Sequence, residues 1–381
     1  MAQPHVVTVI LNTNRRDDTL ACLASLRAAT YTNHSIIVLD NASTDGSPQA
    51  IHATHPHVQV LALSENNGYA GNNNVGIAAA LAQGADWVFV LNEDTIVAPT
   101  CIAELIAAAE RGPRIAVVGP LVFHHDEPQL IQSAGGRMGR DWSAWHIAQN
   151  EAFHGQFVSP TPVDWISGCA ILVHRAAIEQ VGMLDERFFY YWEETEWCLR
   201  IQRAGWQVVH VPTAQIWHKG VQRDYRPKPS VAYYDTRNHL LMMAKHRAPL
   251  QAWLQSGGRR LRTLLSYSLR PQWRHKRAHR DAMWFGARDF CAATGVRGRS
   301  KCVFSSCQPG APTLPIMARS NASFICCAAS VRVISWMLFA LTQRAMQRRL
   351  PQRSATSVPM CSCYQRRPLP RVRLRVWLAC S

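Results

Sequence analysis

Apolar runs and helix-spaced segments alternate along the first part of the chain. VVTVIL (Val6 to Leu11) is apolar on both faces, as a fully buried strand requires. TNRRDD leads from it into TLACLASLRAA, whose apolar positions recur at helical spacing behind an acidic first turn. SIIVLDNAST (Ser35 to Thr44) predicts a second buried strand with a polar end, and SPQAIHATH a helix. VQVLALS predicts a third strand, GYAGNNNVG a glycine- and asparagine-rich loop before another helix, and WVFVLNEDT, from Trp87 to Thr95, a fourth strand. Continuously apolar strands joined by crossover helices predict an α/β fold, with a mostly parallel, Rossmann-like sheet covered by helices on both faces.

Ligands of such sheets bind beyond the carboxyl ends of the strands. Three of these ends are polar and are expected to share one edge: Thr13, Asn14 and Arg15; Asp40 and Asn41; Asn92, Glu93 and Asp94. The fourth strand passes from apolar to acidic most abruptly, which places a carboxylate where something can be held.

The pattern then changes. IAVVGPLVF predicts a strand, residues 131–160 a loop bearing glycines and aromatics, and VDWISGCAILVHRAAIEQVG a strand, turn and short helix. FFYYWEETEWCLRIQRAG predicts a helix with Glu193, Glu194 and Glu196 in its first turns, where carboxylates meet the positive helix end. VVHVPTAQIWHKG predicts a last strand reaching His218. Three regions follow: residues 1–225 as the α/β domain, 226–290 as a basic helical extension, and 291–381 as an atypical tail.

Charge changes the picture only for that tail. The formal net charge is +16, yet no Asp or Glu follows Asp289, while 13 Arg and one Lys do. Charge so confined, without a nucleic-acid-binding motif, excludes nucleic acid as the partner. The tail's cysteines, including the adjacent Cys326 and Cys327 and the CxC of Cys361 and Cys363, lack the paired spacing of a zinc site. Such Arg-, Ser-, Pro- and Cys-rich text reads as disordered, or as translated out of frame from about Thr294 to Lys301.

The N-terminus lacks a basic n-region and a small-residue cleavage site, so a cytoplasmic protein is expected. VISWMLFAL, the longest apolar run of the tail, is far short of the ~20 residues that cross a bilayer. The basic helices between Arg259 and Arg280 suit peripheral contact with the inner membrane.

Seven blocks, in order, resemble family 2 glycosyltransferases of the GT-A fold, and within them rhamnosyltransferase-like bacterial members: VVTVILNTNRRD, IIVLDNASTDGS, NNGYAGNNNVGI, VFVLNEDT, VDWISGCAILVHR, LDERFFYYWEETEWCLRIQRAGW and IWHKG. YYDTRNHLL (Tyr233 to Leu241) resembles a segment that follows the catalytic domain in that family. The resemblance implies inverting transfer of a sugar from a nucleotide-diphosphate donor to a cell-surface polysaccharide or lipid-linked glycan. dTDP-rhamnose is the first donor to consider and a uridine diphosphate sugar the next.

The chemistry explains the residue types. A departing nucleoside diphosphate carries charge that Mn²⁺ or Mg²⁺ offsets, and hard oxygen ligands suit both ions. The resemblance makes Asp94 the anionic metal ligand, with Asn92 where the family often has an acid, and His218 its partner. It matches Glu193 and Glu194 to the family's catalytic acidic pair, with Glu194 as general base. Here Glu stands where Asp is usual, as it does at Glu196.

Nucleotide contacts fall on Thr13, Asn14, Arg15, Asp40, Asn41, Asn67, Gly68, Asn74 and Asn92, where Gly68, Gly71 and Gly76 let backbone approach a ligand. Sugar or acceptor contacts fall on Trp165, Gly168, Tyr191 and Trp192. A rival reading is a catalytically impaired sugar-nucleotide or glycan-binding relic, since an extra methylene displaces a base by about an ångström and that costs ~100-fold in rate.

Overall fold

The computed structural model describes residues 3–220 and 225–293, so the acid-free tail beyond Ala293 lies outside the described residues, as does any test of its reading frame. The strands are β1 (Val6–Asn12), β2 (His34–Asp40), β3 (Gln59–Ala62), β4 (Trp87–Asn92), β5 (Thr95–Val97), β6 (Ile115–His124), β7 (Ile131–Ser133), β8 (Gly136–Met138), β9 (Ala144–His146), β10 (Thr161–Pro162), β11 (Ala170–His174) and β12 (Gln207–His218). The helices are α1 (Arg16–Arg27), α2 (Ser47–Thr54), α3 (Gly68–Ala82), α4 (Cys101–Ala109), α5 (Arg175–Val181), α6 (Glu193–Arg203), α7 (Pro229–Lys245), α8 (Leu250–Leu269) and α9 (Arg277–Ala293).

The main sheet runs in the order β10-β12-β6-β11-β4-β1-β2-β3. β1 lies parallel to both β2 and β4, and β6 parallel to β12, whereas β11 runs antiparallel to β4 and β6. Two apolar cores follow from the two buried faces. Val6 and Ile10 of β1 join α1, α2 and α4 on one side, while Val7 and Val9 join α3, α5 and α6 on the other. This is the GT-A-like arrangement of a mostly parallel sheet with helices on both faces, followed by a helical C-terminal region.

Register sets the functional edge. Asn12 pairs with Asp40 and Leu11 with Asn92, so the three polar strand ends do lie side by side. β5 then pairs antiparallel with β12, placing His218 opposite Thr95 and next to Asp94.

Three local expectations are corrected. GYAGNNNVG is not a loop but the first turns of α3, with Asn72, Asn73 and Asn74 buried. Residues 131–160 contain β7, which pairs with β6, and β8 and β9, which pair with each other; strands of three residues leave no periodic run to read. The helix expected from Phe188 begins only at Glu193, because Phe189, Tyr191 and Trp192 have φ of 63°, 69° and 76°. Left-handed φ at bulky residues is strained by about 1–3 kcal/mol each, and it ends any helical path through the aromatic run.

Among the described residues no helix is long and apolar enough to cross a membrane.

Candidate active site

Two groups of carboxylates, buried or half-buried, stand at the ends of different elements. The first stands at the end of β4. Asp94 Oδ1 lies 3.1 Å from His218 Nε2, and Asp94 Oδ2 lies 4.0 Å from Arg15 Nη1. His218 Nδ1 meets Gln132 Oε1 of β7 at 2.7 Å, an arrangement that puts the Nδ1 proton on that oxygen and turns the Nε2 lone pair toward Asp94.

Asn92 Nδ2 also approaches Nε2, at 3.3 Å. Asp94 Oδ1 is buried without a hydrogen-bond donor. Two facing acceptors repel, so the gap takes either a proton or a cation. Burial alone would raise the Asp94 carboxyl; when the gap holds a proton, the hydrogen bond from His218, together with the charge of Arg15, outweighs burial and holds Asp94 below the usual carboxylate range.

The pair fits a divalent cation by this geometry and by its donor set of one carboxylate and one imidazole. A Cβ at Gly220 would come within 2.8 Å of His218 Nε2 and 3.0 Å of Asp94 Oδ2, so glycine keeps the space above both ligands clear. Among the described residues no three His, Cys, Asp or Glu side chains form a metal cluster. A cation here would be held by Asp94 and His218 and would leave room for oxygens of a diphosphate and for water, as Mg²⁺-type sites commonly do. Gln132 and Gly220 escaped the sequence reading, although Gly220 sits inside IWHKG.

The rim beside this pair comes from β1 and β2. Asp40 accepts from Asn12 Nδ2 at 2.9 Å and from Ser43 N at 3.1 Å. Asn41 Nδ2 donates to Thr13 Oγ1 at 3.2 Å, and Asn14 Oδ1 accepts from Thr44 N at 2.7 Å. Arg15 bonds Asp18 at 2.9 Å, and Asp18 accepts from Lys219 Nζ at 2.7 Å, which ties α1 to the residue after His218. Glu93, next to Asp94, is pushed up to about 7 by burial and by that neighbour.

The second group opens α6. Burial and the adjacent Glu194 raise the Glu193 carboxyl well above its usual value. Burial takes Glu194 up to about 7, against the pull of N–H donors from its own helix turn and from Gly168. One carboxylate oxygen on each is buried without a partner. Gly168 O accepts from Tyr69 Oη at 2.5 Å, so α3, the turn before β11 and α6 meet at the base. Cys169, one residue on, lies within electrostatic reach of both Asp94 and Glu194.

Several expected contacts serve the framework instead. Asn74 donates to Leu184 O at 2.9 Å and accepts from Leu184 N at 3.0 Å, so its amide joins α3 to the turn before α6. Gly68 and Gly76 have no room for a side chain against Phe189 and Val9, so they permit helix packing rather than ligand approach. Asn67 stands exposed at the start of α3. Trp165 is 4% exposed, packed in the core against Gly136 and His146, and so offers no sugar platform. Trp192 Nε1 donates to Asp235 at 3.0 Å, while the Tyr191 ring lies 4.2 Å from that of Tyr190, tilted by 54°.

The profile described as glycosyl transferase family 2 matches residues 7–182. An N-acetylglucosaminyl-diphospho-decaprenol L-rhamnosyltransferase of Mycobacterium tuberculosis is 34% identical over 285 residues, covering 67% of this chain and 91% of its own. The chain belongs to glycosyltransferase family 2.

A dTDP-rhamnosyl transferase of Shigella flexneri is similar to this family 2 glycosyltransferase at 24% identity, over 57% of this chain and 73% of its own. The crystal structure of GalNAc-T7 with UDP, GalNAc and Mn²⁺ superposes with a TM-score of 0.51 at 15% identity, covering 63% of this chain and 48% of that one. That likeness concerns the fold.

Proposed function

We propose that this glycosyltransferase is inverting and metal-dependent, and that it moves rhamnose from dTDP-rhamnose to a lipid-linked glycan. The observation that carries the metal-dependent reading is the Asp94–His218 pair, two acceptors 3.1 Å apart under the open space that Gly220 leaves. Mn²⁺ or Mg²⁺ bound there supplies charge neutralisation for the departing diphosphate. The names of the Mycobacterium and Shigella relatives support the rhamnosyl donor, and the former supports a polyprenyl diphosphate acceptor.

Arg15 adds a fixed positive charge beside Asp94, and the rim of Thr13, Asn14, Asp40 and Asn41 faces the nucleoside. Transfer is a single displacement. The acceptor oxygen bonds to the anomeric carbon as the bond to the diphosphate oxygen breaks, and that electron pair leaves with the nucleoside diphosphate. The acceptor proton passes to Glu194, which suits the task because a base works best with a pKa near the operating pH. Tyr191 and Gly168 border the acceptor.

The acceptor's lipid has a place to lie. On α8 the exposed side chains of Leu250, Leu254, Leu265 and Leu269 fall on one face by helical spacing, with Arg262 beside it and Arg270 at its end. An exposed apolar stripe flanked by arginines suits an anionic headgroup layer at the cytoplasmic face of the inner membrane.

The test is a panel of nucleotide sugars screened for Mn²⁺-dependent hydrolysis and for transfer to a polyprenyl diphosphate glycan. Turnover of dTDP-rhamnose above the others is expected. Tight nucleotide binding without turnover on any donor would replace this reading with that of a binding relic.

A further inference from the structure

The segment that delivers the base is held by the helical extension. Phe189, Tyr191 and Trp192 all carry left-handed φ, and Trp192 is the residue from which α6 starts, one before Glu193 and two before Glu194. A chain left to itself abandons such conformations, so something must over-determine them. Gly68 of α3 packs against Phe189 on one side. On the other side stands α7.

Asn238 of α7 is fully buried, and its Nδ2 reaches three carbonyls of this segment: Phe188 O at 2.7 Å, Tyr190 O at 2.8 Å and Tyr191 O at 2.8 Å. Arg237 Nη1 donates to Asn238 Oδ1 at 2.8 Å, which fixes the amide with its hydrogens toward those carbonyls. Arg237 Nη2 donates to Arg187 O at 2.7 Å. Asp235, one turn before, accepts from Trp192 Nε1, and His239 lies against the Trp192 ring at 4.8 Å. Four neighbouring residues of one helix thus hold the backbone and the indole of the segment that ends at the base.

We propose that Asn238 is a positioning residue for the transfer reaction: its amide locks the 188–191 turn and thereby sets the direction in which α6 presents Glu194. It touches neither donor nor acceptor. The extension, on this account, belongs to the active site rather than serving as an appendage to a self-sufficient α/β domain. The inference rests on Glu194 being the base.

The experiment compares the full-length Asn238→Asp and Asn238→Ala variants with the parent protein. Asp keeps the volume and loses the donors, and its carboxylate faces three carbonyl oxygens. Both variants are expected to lower kcat by about 100-fold, as misplacement by about an ångström does, with the Mn²⁺-dependent Kd for dTDP unchanged. Met243→Ala, which loosens α7 against Ala248 and Ala252 away from the turn, serves as the packing control and is expected to lower Tm while sparing kcat below its melting range.

A kcat within threefold of the parent for Asn238→Asp overturns the proposal. So does a kcat loss matched by an equal loss of dTDP affinity, or by an equal kcat loss in Met243→Ala. Glu194→Gln, measured beside them, keeps the two readings apart. Full transfer by that variant defeats the base assignment, whereas a dead Glu194→Gln next to an unimpaired Asn238→Asp defeats the clamp alone.

Discussion

Glu194 and Glu196 lie two residues apart on α6 and are driven in opposite directions. Burial takes Glu194 up to about 7, with only N–H donors to offset it and no cation beside it. Glu196 is buried as well, but His246, Arg200 and Lys245 bring its carboxyl down to about 2. Lys245 Nζ stands 2.8 Å from Glu196 and 2.6 Å from Asp185, so the network joins α6, α7 and the turn before Phe188. The same side chain is thus a proton acceptor at one position and a permanent anion two residues on, on the opposite side of the helix. What separates them is whether cations were folded around them, and groups pushed apart in this way mark the division between chemistry and scaffold. Asp94, held low beside His218 and Arg15, belongs with the anions, though its counter-charge is arranged to admit a cation.

The contrast between Asp94 and Glu194 gives the largest expected effect. Asp94→Ala removes the anionic ligand and is expected to lower turnover by roughly 1,000-fold, on the scale of losing a main transition-state electrostatic contact. Calorimetry should then find dTDP affinity indifferent to Mn²⁺. Full activity in this variant would sink the assignment of the cation site.

Glu194→Gln is expected to lower transfer by about 100-fold or more while leaving Mn²⁺-dependent dTDP binding intact. In the unmodified enzyme kcat should rise with pH to a plateau, with a midpoint near 7, because the base acts as the carboxylate. Glu193 is raised further than Glu194 and is still protonated while Glu194 titrates, so replacing it with neutral Gln should leave that midpoint in place. A midpoint that moves to lower pH would show that Glu193 is charged beside the base.

The smallest effect is thermal. The Glu194 pKa is raised on folding, so the folded form binds its proton more tightly. The associated stability is present below the ordinary value of 4.5 and is lost as pH rises through about 7. At pH 8, therefore, Glu194→Gln should melt above the parent, by about 2–4 °C for each kcal/mol recovered. Glu196 has the opposite sign: its stability is present above 4.5 and is lost as pH falls through about 2. Glu196→Gln should accordingly melt below the parent at pH 8, because Arg200 and Lys245 lose their partner. Equal shifts for both variants would erase the distinction.

Much of the fold was legible because buried parallel strands must be apolar on both faces. VVTVIL, SIIVLD and WVFVL declare themselves as strands, and their polar ends fall on one edge once β1, β2 and β4 are paired. Asp94 stood out for the same reason, being an acid at the end of an apolar run. The aromatic run before α6 misled, since helical spacing carries no trace of a turn enforced by partners elsewhere. GYAGNNNVG misled in the other direction: its glycines look like loop residues, but they exist to let α3 lie close to β1 and to Phe189.

By itself, then, the chain determined the strands, the crossover helices, the shared polar edge and the kinds of side chain placed on it, because these follow from local periodicity and burial. Tertiary structure alone decided what those side chains do. It set His218 against Asn92, 126 positions earlier, through the β5–β12 pairing, and turned Gln132 onto His218. It left Glu194 without a cation while giving Glu196 two, Arg200 and Lys245, and a hydrogen bond from His246, and it sent Asn238 to the turn that carries the base. Charge state and direction depend on neighbours distant in sequence, and only folding brings those neighbours within bonding range.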